Sequence, residues 1–297
     1  MFPVGQLIVD SLTHALIIAI PLALIGHPDL AVYGIMGAVL IDVDVAFNLF
    51  SKREARLYIF THGGITHSFM GAFAIVLLSS AAAFALSPLF PSPVAPFGPL
   101  AVAAIAAGAL THITADYLAY PGIPLFYPFS DRKYTLGILG GPSAFLVLAS
   151  LAYIGAMAIG IASIAQPWPY AAFFGLVIAL SAGTKAAIAL KVKGRTIATI
   201  DPRRWMVIED LPDVYRFYSY DLFKGASPEE DYEKFKGLTL AEVAGYARMP
   251  ELKRLRYNSY IVTAEKNGGT ITFRDPIREK GHIWYPPDFK SLVISVE

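Results

Sequence analysis

What most constrains this chain is where its charges are missing. Residues 1–190 carry only 13 Asp, Glu, Lys and Arg, while the 107 residues that follow carry 34. A segment so poor in charge does not make the surface of an ordinary soluble enzyme. The mean hydropathy of the whole chain, +0.53, points to a membrane class. Two domains are expected: a transmembrane helical domain over 1–190 and a soluble domain over 191–297. The first apolar stretch lacks the basic flank of a signal peptide, so it is expected to remain as a membrane helix. The chain has no cysteine, so any metal must be held by imidazole and carboxylate.

A spanning helix needs about 20 mostly apolar residues. Six stretches qualify, at 5–25, 31–50, 68–88, 99–120, 138–165 and 169–190. The expected fold is therefore an all-α membrane bundle of about six helices, followed by a strand-rich α+β domain. Basic residues fall in alternate connections: Lys52, Arg53 and Arg56, then Arg132 and Lys133, then Lys191, Lys193 and Arg195. The connections 26–30, 89–98 and 166–168 have no Lys or Arg. The positive-inside rule then puts both termini in the cytoplasm of a multi-pass cell-membrane protein. In the tail, strand-like composition occurs at 195–200, 205–209, 215–221, 259–265, 270–274 and 292–296. Asn267-Gly268-Gly269 is a hairpin signal. Residues 238–257 read as helical, with Pro250 in the middle or at a joint between two short helices.

Ionisable residues inside spans are costly and mark function by default. Here they are Asp10 and His14, Asp42 and Asp44, and His112 and Asp116, with His62 and His67 in the loop before the third span. Residues four apart share a helix face. Asp10/His14 and His112/Asp116 thus each present a carboxylate beside an imidazole, the spacing that supplies two groups to one metal site. Asp42 and Asp44 lie about 200° apart on an ideal helix. Either the helix loosens there or only one of them faces the site.

A lone membrane histidine is more often a hydrogen-bonded packing residue than a ligand. The expected topology, however, brings all eight groups to one leaflet, which scattered packing residues would not do. His27 and His282 have no assigned role. The donor types suit a divalent metal, zinc first, with manganese or iron as alternatives. They are numerous enough for two or three ions. With no Gly-x-Ser-x-Gly elbow and no thiol, a metal-activated water is the simplest chemistry these residues support.

The blocks Asp10-Ser-Leu-Thr-His14, Ile41-Asp-Val-Asp44, Thr61-His-Gly-Gly-Ile-Thr-His-Ser68 and Gly108-Ala-Leu-Thr-His112-Ile-Thr-Ala-Asp116 occur in that order. Together with the stretch from Tyr120 to Tyr134 they resemble the signature blocks of the YdjM-type inner-membrane metal-dependent hydrolases. The region from Arg203 to Trp205 and the later strands are similar to a C-terminal extension of some members. The resemblance implies a distant relationship to zinc-dependent phospholipase C and P1 nuclease, which cleave phosphate esters. It also implies that His14, Asp44, His62, His67, His112 and Asp116 are metal ligands or their immediate support. The family usually has proline where this chain has Ile41, which leaves the relative roles of Asp42 and Asp44 open.

The leading expectation is hydrolysis of a lipid or lipid-linked phosphoester at the cytoplasmic leaflet. Asp42, Asp44 and Arg132 are the candidate catalytic residues, and Asp42 and Asp44 count among the metal ligands as well. Arg132 and Lys133 either bind the phosphate or anchor the loop to headgroups. Ser68 either donates to a phosphate oxygen or caps the next helix. The alternatives are a metal-binding membrane sensor, a scaffold whose tail recruits a protein partner, or a transporter. A transporter would place its site near the midplane between two related halves, and no such duplication is visible. No nucleic-acid partner is expected.

Overall fold

The computed structural model describes residues 4–90, 94–141, 143–283 and 289–296; the side chains of 4–10 and of 144 lie outside this set. The chain divides into two compact units. One comprises residues 1–47, 62–186 and 198–202; the other comprises 48–61, 187–197 and 203–297.

The first unit is helical. Its helices are α1 (Val4–Leu24) and α2 (Ala31–Val39), the latter running into a 3-10 stretch, Leu40–Phe47. A short helix of the second unit, α3 (Asn48–Arg53), comes next in the chain. Then follow α4 (Phe69–Leu86), α5 (Pro99–Tyr117), α6 (Ala144–Ala158) and α7 (Trp168–Ala189). Four helical stretches among the described residues are long and apolar enough to cross a membrane: Pro28–Arg53, Phe69–Leu89, Pro99–Tyr117 and Trp168–Ala189. Ser11–Leu24 and Phe145–Ala158 are apolar but shorter. On α4, Phe73, Leu77, Leu78 and Phe84 face outward, as a lipid-facing wall requires.

The fifth expected span is shorter than its apolar sequence. Ile138 and Leu139 both donate from their backbone N–H to the carbonyl of Leu118, at 2.8 and 3.1 Å, so this end of the stretch is tied to the end of α5 instead of coiling. The helix begins only at Ala144 and ends before Gly160, whose φ is +76°. Its 15 residues reach roughly 22 Å, less than the ~30 Å hydrocarbon core.

Small residues set the main crossing. Gly34, Gly37 and Ala38 of α2 meet Ala104, Ile105 and Gly108 of α5. A Cβ on Gly37 would lie 1.9 Å from the Ile105 carbonyl oxygen, and one on Gly108 would lie 2.0 Å from that of Gly34. The two backbones are thus in direct contact, as small-residue crossings in membranes allow. Leu22, Tyr33, Ala101 and Ile105 pack around the crossing, and the Tyr33 hydroxyl donates to the Ala95 carbonyl at 2.8 Å. One turn past Gly108 comes His112.

The second unit is strand-rich. One sheet has the order β1 (Arg195–Ala198), β2 (Arg204–Asp210), β3 (Val214–Asp221) and β4 (Gly225–Ala226), with β5 (Glu230–Glu233) also paired to β3. β2 and β3 are antiparallel, with Trp205 opposite Tyr220 and Glu209 opposite Arg216. The other sheet runs β6 (Phe235–Lys236), β7 (Thr263–Asn267), β8 (Thr270–Arg274) and β9 (Ser291–Ser295). β7 and β8 form the expected hairpin, with Asn267 opposite Thr270.

The helical reading of 238–257 resolves into two pieces, α8 (Leu240–Gly245) and α9 (Pro250–Asn258). Pro250 starts α9, where its missing N–H costs nothing. Thr239 and Glu242 form a capping box that starts α8. A last helix, α10 (Pro276–Glu279), is capped by Asp275. Leu252, Leu255, Ala264, Ile271 and Phe273 form the core of this sheet and its helices.

Candidate metal centre

Four elements of the helical unit supply the candidate donors. His14 projects from α1; Asp42 and Asp44 come from the 3-10 stretch; His62 and His67 come from the loop before α4; His112 and Asp116 come from α5. Eight residues is long for 3-10 geometry, whose runs seldom exceed 3–4. The tighter winding explains how both aspartates reach the site. At about 120° per residue, positions two apart differ by about 120° in direction, against about 160° on an α-helix. The helix tightens there instead of loosening, and both carboxylates face the histidines.

The 3-10 turn Ile65–His67 aims His67 inward. Ser68 caps α4: its hydroxyl donates to the Ile65 carbonyl at 2.7 Å and accepts from the Gly71 N–H at 3.0 Å. Of the two expectations for Ser68, the helix cap is the one the structure bears out.

The distances draw the seven residues into one cluster. Asp42 Oδ1 lies 3.5 Å from His67 Nε2 and 3.4 Å from His112 Nε2. Asp116 Oδ2 lies 3.0 Å from His67 Nε2 and 3.5 Å from His112 Nε2. The two Nε2 atoms are 3.1 Å apart. Two imidazole nitrogens thus face each other, with one carboxylate oxygen from Asp42 and one from Asp116 beside both of them. With metal–ligand distances of about 2.0–2.1 Å, a tetrahedral site has donor–donor edges of about 3.3–3.4 Å. The five edges above scatter around that value.

Three overlapping groups have donor atoms within 4.8 Å of one another: His14, His112 and Asp116; Asp42, His67 and His112; Asp44, His62 and His67. This clustering could hold a metal ion.

The cluster also shows a division of labour. Asp44, fully buried, faces the opposite edge of His67: its Oδ2 is 3.0 Å from Nδ1. The same oxygen accepts the Thr66 hydroxyl at 2.6 Å. A carboxylate on the far nitrogen fixes the tautomer and turns Nε2 toward Asp42, His112 and Asp116. His62 Nδ1 is 3.1 Å from Asp44 Oδ1 and 3.7 Å from Asp42 Oδ1. His14 stacks on His112 with ring centroids 3.8 Å apart, and its Nε2 lies 3.4 Å from Asp116 Oδ1. Ser11 donates to Asp42 Oδ2 at 3.3 Å. Thr66 and Ser11 were not anticipated from sequence, although each sits inside a block that carries a histidine. The side chain of Asp10 lies outside the described residues.

Asp42, Asp44, His67 and His112 are buried, whereas His62 and Asp116 are 27% and 23% exposed, so the cluster opens on their side. Burial works against a charged ring at His62 and His67. The hydrogen bond and charge of Asp44 outweigh it at His62, and Asp44, Asp116 and Asp42 outweigh it at His67; both imidazoles are raised above their usual range. Arg132 is exposed, its guanidinium 5.6 Å from the Tyr134 ring centroid.

A family model described as YdjM inner membrane protein matches residues 9–191, well over half of the chain. The chain belongs to this family. All seven clustered residues lie inside the matched range, and most of the strand-rich unit lies beyond it. The YdjM match and the apolar helices together place the chain in a membrane. Comparison with curated proteins and with solved structures gives no match.

Asp44→Asn is expected to weaken metal binding about 10–100-fold, the usual loss when a partner orienting a ligand is changed. Metal titration of the purified variant checks this, and unchanged affinity would remove Asp44 from the orienting role.

Proposed function

We propose that this YdjM-family chain is a metal-dependent hydrolase that cleaves a phosphoester of a lipid or lipid-linked substrate. The observation that carries the reading is that a donor set, Asp42 Oδ1, His67 Nε2, His112 Nε2 and Asp116 Oδ2, opens to the outside at Asp116 and the neighbouring His62. Five of its six donor–donor edges lie at 3.0–3.5 Å, the separation that donors sharing one ion require. The polar contacts of His112 with Asp42, Asp116 and His67 all run through its Nε2. Imidazoles and carboxylates without thiolate suit zinc first. Asp116 turns Oδ2 to the four-atom set and Oδ1 to His14, so it would serve both groups of donors.

When bound, such an ion acidifies water and withdraws charge from a phosphoryl oxygen. The chain's own groups do the rest. Asp44 and Thr66 hold the His67 ring in place. His62, on the open side and hydrogen-bonded to Asp44, is placed to take a proton from an attacking water and return it to the leaving oxygen. Arg132 is free of the buried cluster and suited to a phosphate. The positive-inside pattern supports a site at the cytoplasmic leaflet with both termini inside, where a headgroup is reached while its acyl chains stay in the bilayer.

A second reading has one observation in its favour. Binding of one ion by all four of these donors would fill a tetrahedral shell, as in structural zinc sites, which suits a non-catalytic metal sensor or scaffold.

Purified protein assayed on phospholipid vesicles and on a generic aryl phosphodiester separates the two. The hydrolase reading expects turnover that chelator abolishes and zinc restores. Bound metal without turnover on either substrate would replace it with the sensor reading. The pH dependence has a definite sign. Because His62 and His67 are raised, the metal-free site keeps its protons to higher pH than an ordinary imidazole near about 6.5. Metal affinity should therefore begin to fall at a pH above that value and continue falling on acidification.

A further inference from the structure

One segment flanking the candidate metal centre folds with the strand-rich unit. Residues 48–61 cluster with 187–197 and 203–297. Within that unit α3 is only six residues long, and the last carbonyls of a helix have no partner inside it. Arg254 of α9 supplies one. Its Nη1 donates to the backbone carbonyls of Ser51 at 3.0 Å and Lys52 at 3.3 Å. A cation is also what the helix dipole favours at that end. The guanidinium lies 4.1 Å from the Phe289 ring centroid, which holds it in place.

The neighbouring residues of α9 extend the hold. Lys253 Nζ sits 5.6 Å from the Tyr58 ring centroid, and Tyr257 meets Tyr58 edge-on at 5.3 Å. Ala55 and Ile59, on the same segment, are buried.

The chain enters this segment four residues after Asp44 and leaves it directly before His62. Those two side chains meet at 3.1 Å. The segment is thus the body of a loop whose neck is an Asp–His contact of the metal centre. The conformation of the body sets how far apart its two chain ends lie, and those ends lead into the neck.

We propose that Arg254 is a positioning residue for the metal centre. By clamping α3 it holds 48–61 in the conformation that brings Asp44 and His62 together, so the strand-rich unit sets the affinity of the centre for its ion. The proposal rests on the metal-centre reading above. Coupling between sites is reciprocal, so occupancy of the centre must stabilise the clamp in turn.

The test uses full-length protein with zinc alone as the probe, reading binding affinity and amide hydrogen exchange. Arg254→Ala should weaken zinc binding about tenfold, at the low end of losses for groups that support ligands. Arg254→Lys, which keeps a cation at the helix end, should recover part of it. In the wild type, zinc should slow exchange in Pro250–Asn258 as well as around His62 and His67. In Arg254→Ala the protection of 250–258 should disappear while that around His67 remains. Unchanged affinity in Arg254→Ala, or no zinc-dependent protection of α9 in the wild type, would overturn the proposal while leaving the centre intact. A wild type that binds no zinc would overturn the centre itself, and the clamp's role with it.

Discussion

His112→Ala should lose at least about 100-fold in metal affinity, more than the change of any orienting partner. His112 Nε2 stands at the junction of the cluster, 3.1 Å from His67 Nε2, 3.4 Å from Asp42 Oδ1 and 3.5 Å from Asp116 Oδ2. Removing it takes one donor from the four-atom set and leaves the Asp42 and Asp116 carboxylates without the ring nitrogen that lies beside both. It also takes away the ring on which His14 stacks. Isothermal titration with zinc, beside a melting curve showing that the variant remains folded, checks the expectation. Wild-type affinity in a folded variant would remove His112 from the ligand set.

Gly108→Leu should have the largest effect on folding. The α2–α5 crossing leaves no room there: a Cβ would sit 2.0 Å from the Gly34 carbonyl oxygen. Backbone cannot yield as a flexible side chain can, so the helices must separate. Overpacking of this kind costs about 1–3 kcal/mol, and a backbone obstacle puts it at the upper end. Because His112 lies one turn further along α5 and Asp42 one turn past the crossing on the other chain segment, the same separation should also release the metal. Gly183→Leu is the control, since nothing lies within 4 Å of a Cβ at that position. Thermal unfolding in detergent should show a clear drop for Gly108→Leu and little change for Gly183→Leu. Equal melting of the two variants would contradict the role given to the crossing.

Much of the candidate site was legible because its information is local. His112 and Asp116 stand four apart on one helix face, and the structure brings them within 3.5 Å. The convergence of α1, the 3-10 stretch, the loop and α5 followed from span order and basic loops. The roles of Asp42 and Asp44 were not legible. They depend on an eight-residue switch to 3-10 winding and on which edge of His67 each carboxylate meets, and neither is written in a two-residue spacing.

In the tail, Thr270–Arg274 was read to the residue because β-branched and aromatic side chains fill it. Glu230–Glu233 was missed because three of its four residues are acidic, and its place comes from pairing with β3 alone. The membership of 48–61 in the strand-rich unit was also invisible. Its Lys and Arg residues read as a membrane-flanking loop, and the tie to Arg254 spans about two hundred residues of sequence.

The central claim is that Asp42, His67, His112 and Asp116 form a metal centre. The most direct measurement is elemental analysis of the purified wild-type protein and of His112→Ala, prepared identically and without added metal. A divalent metal retained through purification by the wild type, and largely absent from the variant, is the predicted result. Equal, near-zero metal in both proteins, persisting after incubation with zinc, would contradict it.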